Sequence, residues 1–62
     1  MHKNSGIGKY KEKLQFLADN FTVNNLPFNY TVTSFKEEIN ELIKLLDLDE
    51  YSTKYFKKKT GV

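Results

Sequence analysis

The stretch from Thr33 to Gly61, TSFKEEINELIKLLDLDEYSTKYFKKKTG, limits what this chain can fold into more than any other. Phe35, Ile39, Leu42 and Leu46 recur at spacings of four, three and four, which gathers them on one face of a helix, and Ile43 and Leu45 widen that stripe. Glu37, Asn40, Glu41 and Lys44 fall opposite. Ser34 followed by Glu37 predicts a capping-box start, in which each side chain satisfies a backbone amide that the first turn leaves unpaired. Asp47-Leu48-Asp49 interrupts the pattern. A further helix is predicted after Leu48, with Asp47 or Asp49 as its cap and Glu50 in its first turn, where negative charge is favoured. Leu48, Tyr51, Ser52, Tyr55 and Phe56 are expected on its inward face. Lys57, Lys58 and Lys59 complement the negative helix end, and Gly61 supplies a stop.

Upstream, Lys9 to about Asn20 reads as the first helix. Ile7, Tyr10, Leu14, Leu17 and Phe21 share a narrow arc at helical periodicity, and Lys11, Lys13 and Asp19 lie off it. Phe16 misses the arc, so it either packs on a neighbouring segment or forms an exposed contact. From Phe21 to Thr33 (FTVNNLPFNYTVT) β-branched and aromatic residues alternate with polar ones, punctuated by Asn24-Asn25 and Pro27. That segment fits either a short hairpin pairing residues 21–23 with 28–32, or an ordered loop anchored by Leu26, Phe28 and Tyr30. Residues 1–8 are polar and glycine-containing, as expected of a flexible terminus. Their SGIGK run departs from a phosphate-binding loop, since Tyr10 follows the lysine and no strand precedes it. The expected fold class is therefore mainly α: one compact three-helix domain over residues 1–62, its second and third helices arranged like a helix-turn-helix, with the hairpin as an option between the first two.

A chain of 62 residues buries only about 60 % of its unfolded surface, so its nine aromatic residues must supply much of the core. It holds no cysteine and a single histidine, which excludes disulfides and a conventional structural zinc site. His2 stands alone near the terminus, and Ser5, Ser34 and Ser52 have no histidine placed to activate them, so no catalytic residue, metal or cofactor is expected and the chain does not read as an enzyme. No apolar run reaches membrane-spanning length and no signal-peptide pattern opens the chain; the expectation is a cytoplasmic protein with no membrane partner.

Net charge of +2 conceals a strong asymmetry. Residues 1–13 carry a net of +3, residues 14–50 a net of −5 and residues 51–62 a net of +4, and every basic residue is lysine. Against that background, Ile39 to Phe56 resembles the helix-turn-helix DNA-binding family. Leu42, Leu46, Leu48 and Phe56 occupy four of its apolar positions, and Thr53 weakly fills a fifth. The ending from Tyr55 to Val62 is similar to the close of the second such motif in AraC-type regulators. Two positions depart: the family prefers a small residue where Ile43 stands and glycine where Asp47 stands. The resemblance implies that the last helix enters the major groove and presents Glu50, Thr53, Lys54, Lys57 and Lys58. The lysines would hold phosphates, Thr53 would touch a base edge or thymine methyl, and Lys9, Lys11 and Lys13 would reach a flanking phosphate. Without arginine, specificity should be modest and a homodimer needed for useful affinity. The implied function is a small nucleic-acid-binding protein, regulatory or accessory to a phage or mobile element. The alternative is a small non-enzymatic adaptor or inhibitor that binds a host protein through an acidic or aromatic surface.

Overall fold

The computed structural model describes residues 5–62, with side chains from residue 8 onward. Three helices make up the fold: α1 (Ser5–Asn20), α2 (Val32–Leu46) and α3 (Glu50–Thr60). α1 is the shared partner against which both others pack. Its flank carrying Lys13 meets α2, and its end carrying Asp19 meets the end of α3. Leu14, Leu17, Phe35, Ile39, Leu42 and Ile43 form the buried centre, ringed by half-buried Phe21, Val23, Leu26, Tyr30, Leu46, Leu48, Phe56 and Val62.

Helix boundaries follow their caps. α2 begins earlier than the Ser34–Glu37 pattern predicts: Thr31 is its N-cap, in extended backbone, and its hydroxyl accepts the Ser34 N–H at 3.1 Å. Thr31 wins because a cap at Ser34 would strand the turn that sets Phe35 into the core, where it is fully buried. Asp49 caps α3 by accepting the Ser52 N–H at 2.8 Å. Asp47 instead closes α2 in the left-handed region, at φ 52° and ψ 50°. There the Leu48 N–H donates to the Ile43 carbonyl and the Asp47 N–H to that of Lys44, the paired bonds of a Schellman close. Gly61 ends α3 in the same conformation, at φ 82°, with the Gly61 and Val62 N–H groups both donating to the Lys57 carbonyl.

Several expectations require correction. α1 begins at Ser5, ahead of the Lys9 start expected; once Leu14 and Leu17 are buried, extending a helix backwards is far easier than nucleating one, even through Gly6 and Gly8, which cost about 1 kcal/mol each. The expectation for residues 1–4, including His2, lies outside the described residues. Residues 21–31 form an ordered loop rather than a hairpin: among the described residues the only β-pairing is an isolated bridge between Thr22 and Asn25. Thr31 and Val32 are taken by the start of α2, and Pro27 has no N–H to give to a ladder. Phe28 does not anchor the loop; it stands fully exposed in a turn closed by the Tyr30 N–H on the Pro27 carbonyl. Phe16 is exposed, with its ring edge-to-face on Phe21 at 6.2 Å. Leu45 is half exposed rather than part of the core.

The largest correction concerns α3. Tyr51 and Tyr55, expected inward, are 81 % and 48 % exposed. The inward face is carried by Phe56 and Thr60 with Ser52 and Thr53 half-buried beside them. Thr60 is fully buried because its hydroxyl is satisfied within the helix, donating to the Phe56 carbonyl at 2.7 Å, so it packs as a small apolar residue. Its carbonyl accepts the Val23 N–H at 2.9 Å, tying the loop to the end of α3. Burying the Ser52, Phe56 and Thr60 stripe turns Tyr51 and Tyr55 to the outside.

Candidate nucleic-acid interface

The exposed side of α3 combines two kinds of group at helical spacing. Tyr51 and Tyr55 lie one turn apart, and so do Lys54 and Lys58; all four side chains are exposed. Lys57 flanks this stripe, and Glu50 sits in the first turn at its end. Lysines in the last turn complement the helix dipole, which accounts for Lys57, Lys58 and Lys59 on structural grounds alone. Lys54 lies in mid-helix, four residues after Glu50, a spacing that attracts, and four before Lys58, a spacing where like charges repel.

Two other lysines are committed within the molecule. Lys59 Nζ lies 3.4 Å from Asp19 Oδ1 and 5.7 Å from the centre of the Tyr55 ring. Hydrogen bonding to the Tyr55 hydroxyl, then to Asp19, raises the Lys59 pKa above its ordinary value. The Tyr55 ring stands edge-to-face on Phe56 at 5.2 Å. Lys13 Nζ lies 2.6 Å from Glu38 Oε2, and the Tyr30 hydroxyl bonds the other oxygen of the same carboxylate.

Of the residues singled out in the sequence, Lys54, Lys57, Lys58 and Glu50 lie together on exposed α3 positions. Lys9 and Lys11 are exposed on α1, without an ionic partner among the described residues. Thr53 is half-buried at the edge of the inward face of α3, off the stripe that carries Lys54 and Lys58. Lys13 faces α2 and its charge is neutralised there. Tyr51 and Tyr55 were the residues missed. The signal available was the competing stripe of Ser52, Phe56 and Thr60 at i, i+4 and i+8, which sets the tyrosines outward once Thr60 is counted as apolar.

Leu42 is buried, Leu46, Leu48, Phe56 and Thr53 are half-buried, and Asp47 takes the left-handed conformation. Ile43, where a small residue is preferred, is buried in the centre of the core. The fold and its surface define a small three-helix protein with segregated charge. No family model, curated protein or solved structure matches the chain. No described helix is long and apolar enough to cross a membrane.

Proposed function

We propose that this chain is a small nucleic-acid-binding protein whose contact surface is the outward face of α3. The observation that carries this function is the alignment of Lys54 and Lys58 with Tyr51 and Tyr55 on one exposed helix face, cations and aromatic rings interleaved. Lysines neutralise phosphates and release condensed counterions, which supplies affinity independent of sequence. Exposed tyrosines offer flat faces on which unpaired bases stack, so single strands are favoured over duplex. With no arginine in the chain, bidentate reading of guanine is absent and specificity is modest. Glu50 repels phosphate at the start of the helix, so the backbone is held by the later lysines while Tyr51 offers its ring to a base.

Fluorescence anisotropy of labelled single-stranded and duplex oligonucleotides, from about 50 to 300 mM salt, tests this. Replacing Lys54 and Lys58 together by alanine should flatten the single-strand salt slope by about 1.4 units. Tyr51→Ala should weaken single-strand binding by about 1–3 kcal/mol and leave the slope unchanged. Lys13→Ala, which touches only the α1–α2 contact, should leave the slope unchanged as well. Absence of binding at the lowest salt, or a slope indifferent to Lys54 and Lys58, would overturn the assignment and leave the surface to a protein partner.

A further inference from the structure

The flank of α1 opposite the α3 contact forms a groove with α2, of ≈ 420 Å³. Its walls carry Glu37 and Glu41 from α2, with Tyr10 and Leu45 as apolar rims that are 40 % and 48 % exposed. Lys13 and Glu38 also line it, but as an ion pair in which Glu38 is further bonded by the Tyr30 hydroxyl, so the net charge of the groove comes from Glu37 and Glu41. Glu37 and Glu41 are exposed and have no ionic partner among the described residues.

The groove and the outward face of α3 are matched in four respects. Each presents two like charges one helical turn apart, Glu37 and Glu41 on one side and Lys54 and Lys58 on the other, with opposite sign. Each sets those charges beside exposed apolar groups, Tyr10 and Leu45 in the groove and Tyr51 and Tyr55 on the helix. α3 is a rod of three turns, and a helix can lie along a groove between two others. Neither can satisfy the other within one molecule, because α3 packs its Phe56 and Thr60 side inward and turns the lysines away from the body. The chain therefore carries both halves of a complementary contact and can join them only between copies.

We propose that this groove receives the α3 face of a second copy of the chain. The contact is heterologous, since two different surfaces meet, and each copy still offers one free groove and one free α3 face. Its charged part is screened by salt, so association is strongest at low ionic strength. The proposal stands apart from the nucleic-acid function, because the contact is measured with no nucleic acid present.

The experiment is sedimentation velocity on the purified chain across a concentration series, at about 20 and 300 mM salt. The wild type should gain mass with concentration at low salt and return to monomer at high salt. Glu37→Lys/Glu41→Lys gives a chain with basic groove and basic α3, and Lys54→Glu/Lys58→Glu one with acidic groove and acidic α3. Each should be monomeric alone, and an equimolar mixture should associate again, because each groove now meets an α3 of opposite sign. All four positions are exposed, so the fold should persist, as circular dichroism will show; Glu37→Gln/Glu41→Gln, with weakened association, replaces a reversal that does not fold. A wild type that stays monomeric at low salt, a reversed variant that self-associates, or a mixture that remains monomeric would each overturn the proposal.

Discussion

Gly61→Ala probes the point where the last helix, the loop and the end of the chain converge. At φ 82° the residue lies in the left-handed region, which an L-residue enters at a cost of about 1–2 kcal/mol. A Cβ built there would approach Val23 Cγ2 to 2.8 Å, closer than real Cβ contacts come, with Val23 Cβ at 3.9 Å. The nearest atom is one methyl of a half-buried side chain, and the Val23 backbone lies no closer than 3.9 Å, so the steric part falls at the lower end of overpacking costs, about 1 kcal/mol. The Val23 N–H also donates to the Thr60 carbonyl, so Val23 cannot retreat by moving its backbone without losing that bond. The expected loss is about 2–3 kcal/mol. A domain of this size holds about 3–9 kcal/mol in all, and each kcal/mol shifts its melting temperature by about 4–8 °C. Thermal melting followed by circular dichroism should therefore fall by about 10–20 °C. Val23→Ala in the Gly61→Ala background should recover the steric part only, leaving the conformational penalty in place; the double-mutant cycle measures that coupling. A Gly61→Ala protein that melts with the wild type would mean that α3 does not end in a left-handed residue against Val23.

Two further outcomes follow from the caps. Thr31→Ala should cost about 1 kcal/mol in chemical denaturation, whereas Ser34→Ala should cost little, because Thr31 is the acceptor and Ser34 only supplies a backbone N–H; the reverse ranking would move the start of α2 back to Ser34. Asp49 is held below its usual carboxylate pKa, first by the Ser52 backbone N–H and then by the Ser52 hydroxyl. A depressed folded-state pKa gives stability that is present above the unfolded value, about 3.9, and is lost as pH falls through the folded one. Asp49→Asn keeps an accepting oxygen but no charge, so the gap between wild type and variant in urea midpoint should close between about pH 5 and 2; parallel curves would show that the Asp49 charge does not stabilise the helix.

How much of this was legible in the sequence differs from element to element. The core of α2 was, because a strict stripe of Phe35, Ile39 and Leu42 admits one orientation only, and all three are buried. Gly61 was legible as a stop because few residue types serve that position, while the cap of α3 was narrowed only to Asp47 or Asp49, which the left-handed close at Asp47 decides. The start of α2 was not, since Thr31, Thr33 and Ser34 all carry a capping hydroxyl, and only the placement of Phe35 decides among them. The face of α3 was misjudged for a comparable reason. Tyr51 and Tyr55 form an i, i+4 pair of large rings, while the stripe that won contains one ring, Phe56, and two hydroxyl residues. Residue type favours the tyrosines; a threonine hydroxyl bonded to its own helix carries little polar cost, and that geometry shows only in three dimensions. For the candidate site, the lysines of α3 were visible as a charge run, but their sorting was not. Lys59 and Lys13 find carboxylates on neighbouring helices, and no local spacing reveals which lysines are neutralised in this way.

That sorting decides how the two proposed uses of the molecule relate. Lys13 and Lys59 are paired with carboxylates of neighbouring helices, across exposed contacts that contribute little to stability, so neither charge is free for an outside partner. Lys54 and Lys58 have no ion pair among the described residues, and their mutual repulsion is relieved by whatever anion approaches α3. A phosphate backbone and the Glu37–Glu41 edge of a second copy are both such anions, and both need the same two lysines and the same exposed tyrosines. Binding of one excludes the other at any single α3. Phosphates carry the higher charge density, and stacking on Tyr51 adds to it, so nucleic acid in excess displaces the neighbouring groove. Adding a short single-stranded oligonucleotide to the associated protein at low salt should then lower its mass toward one chain per bound strand. Since linkage is reciprocal, nucleic-acid affinity should fall as protein concentration rises into the range where copies associate. The charge-reversed groove, Glu37→Lys/Glu41→Lys, separates competition from simple crowding: it cannot associate, so its affinity for nucleic acid should be independent of its own concentration.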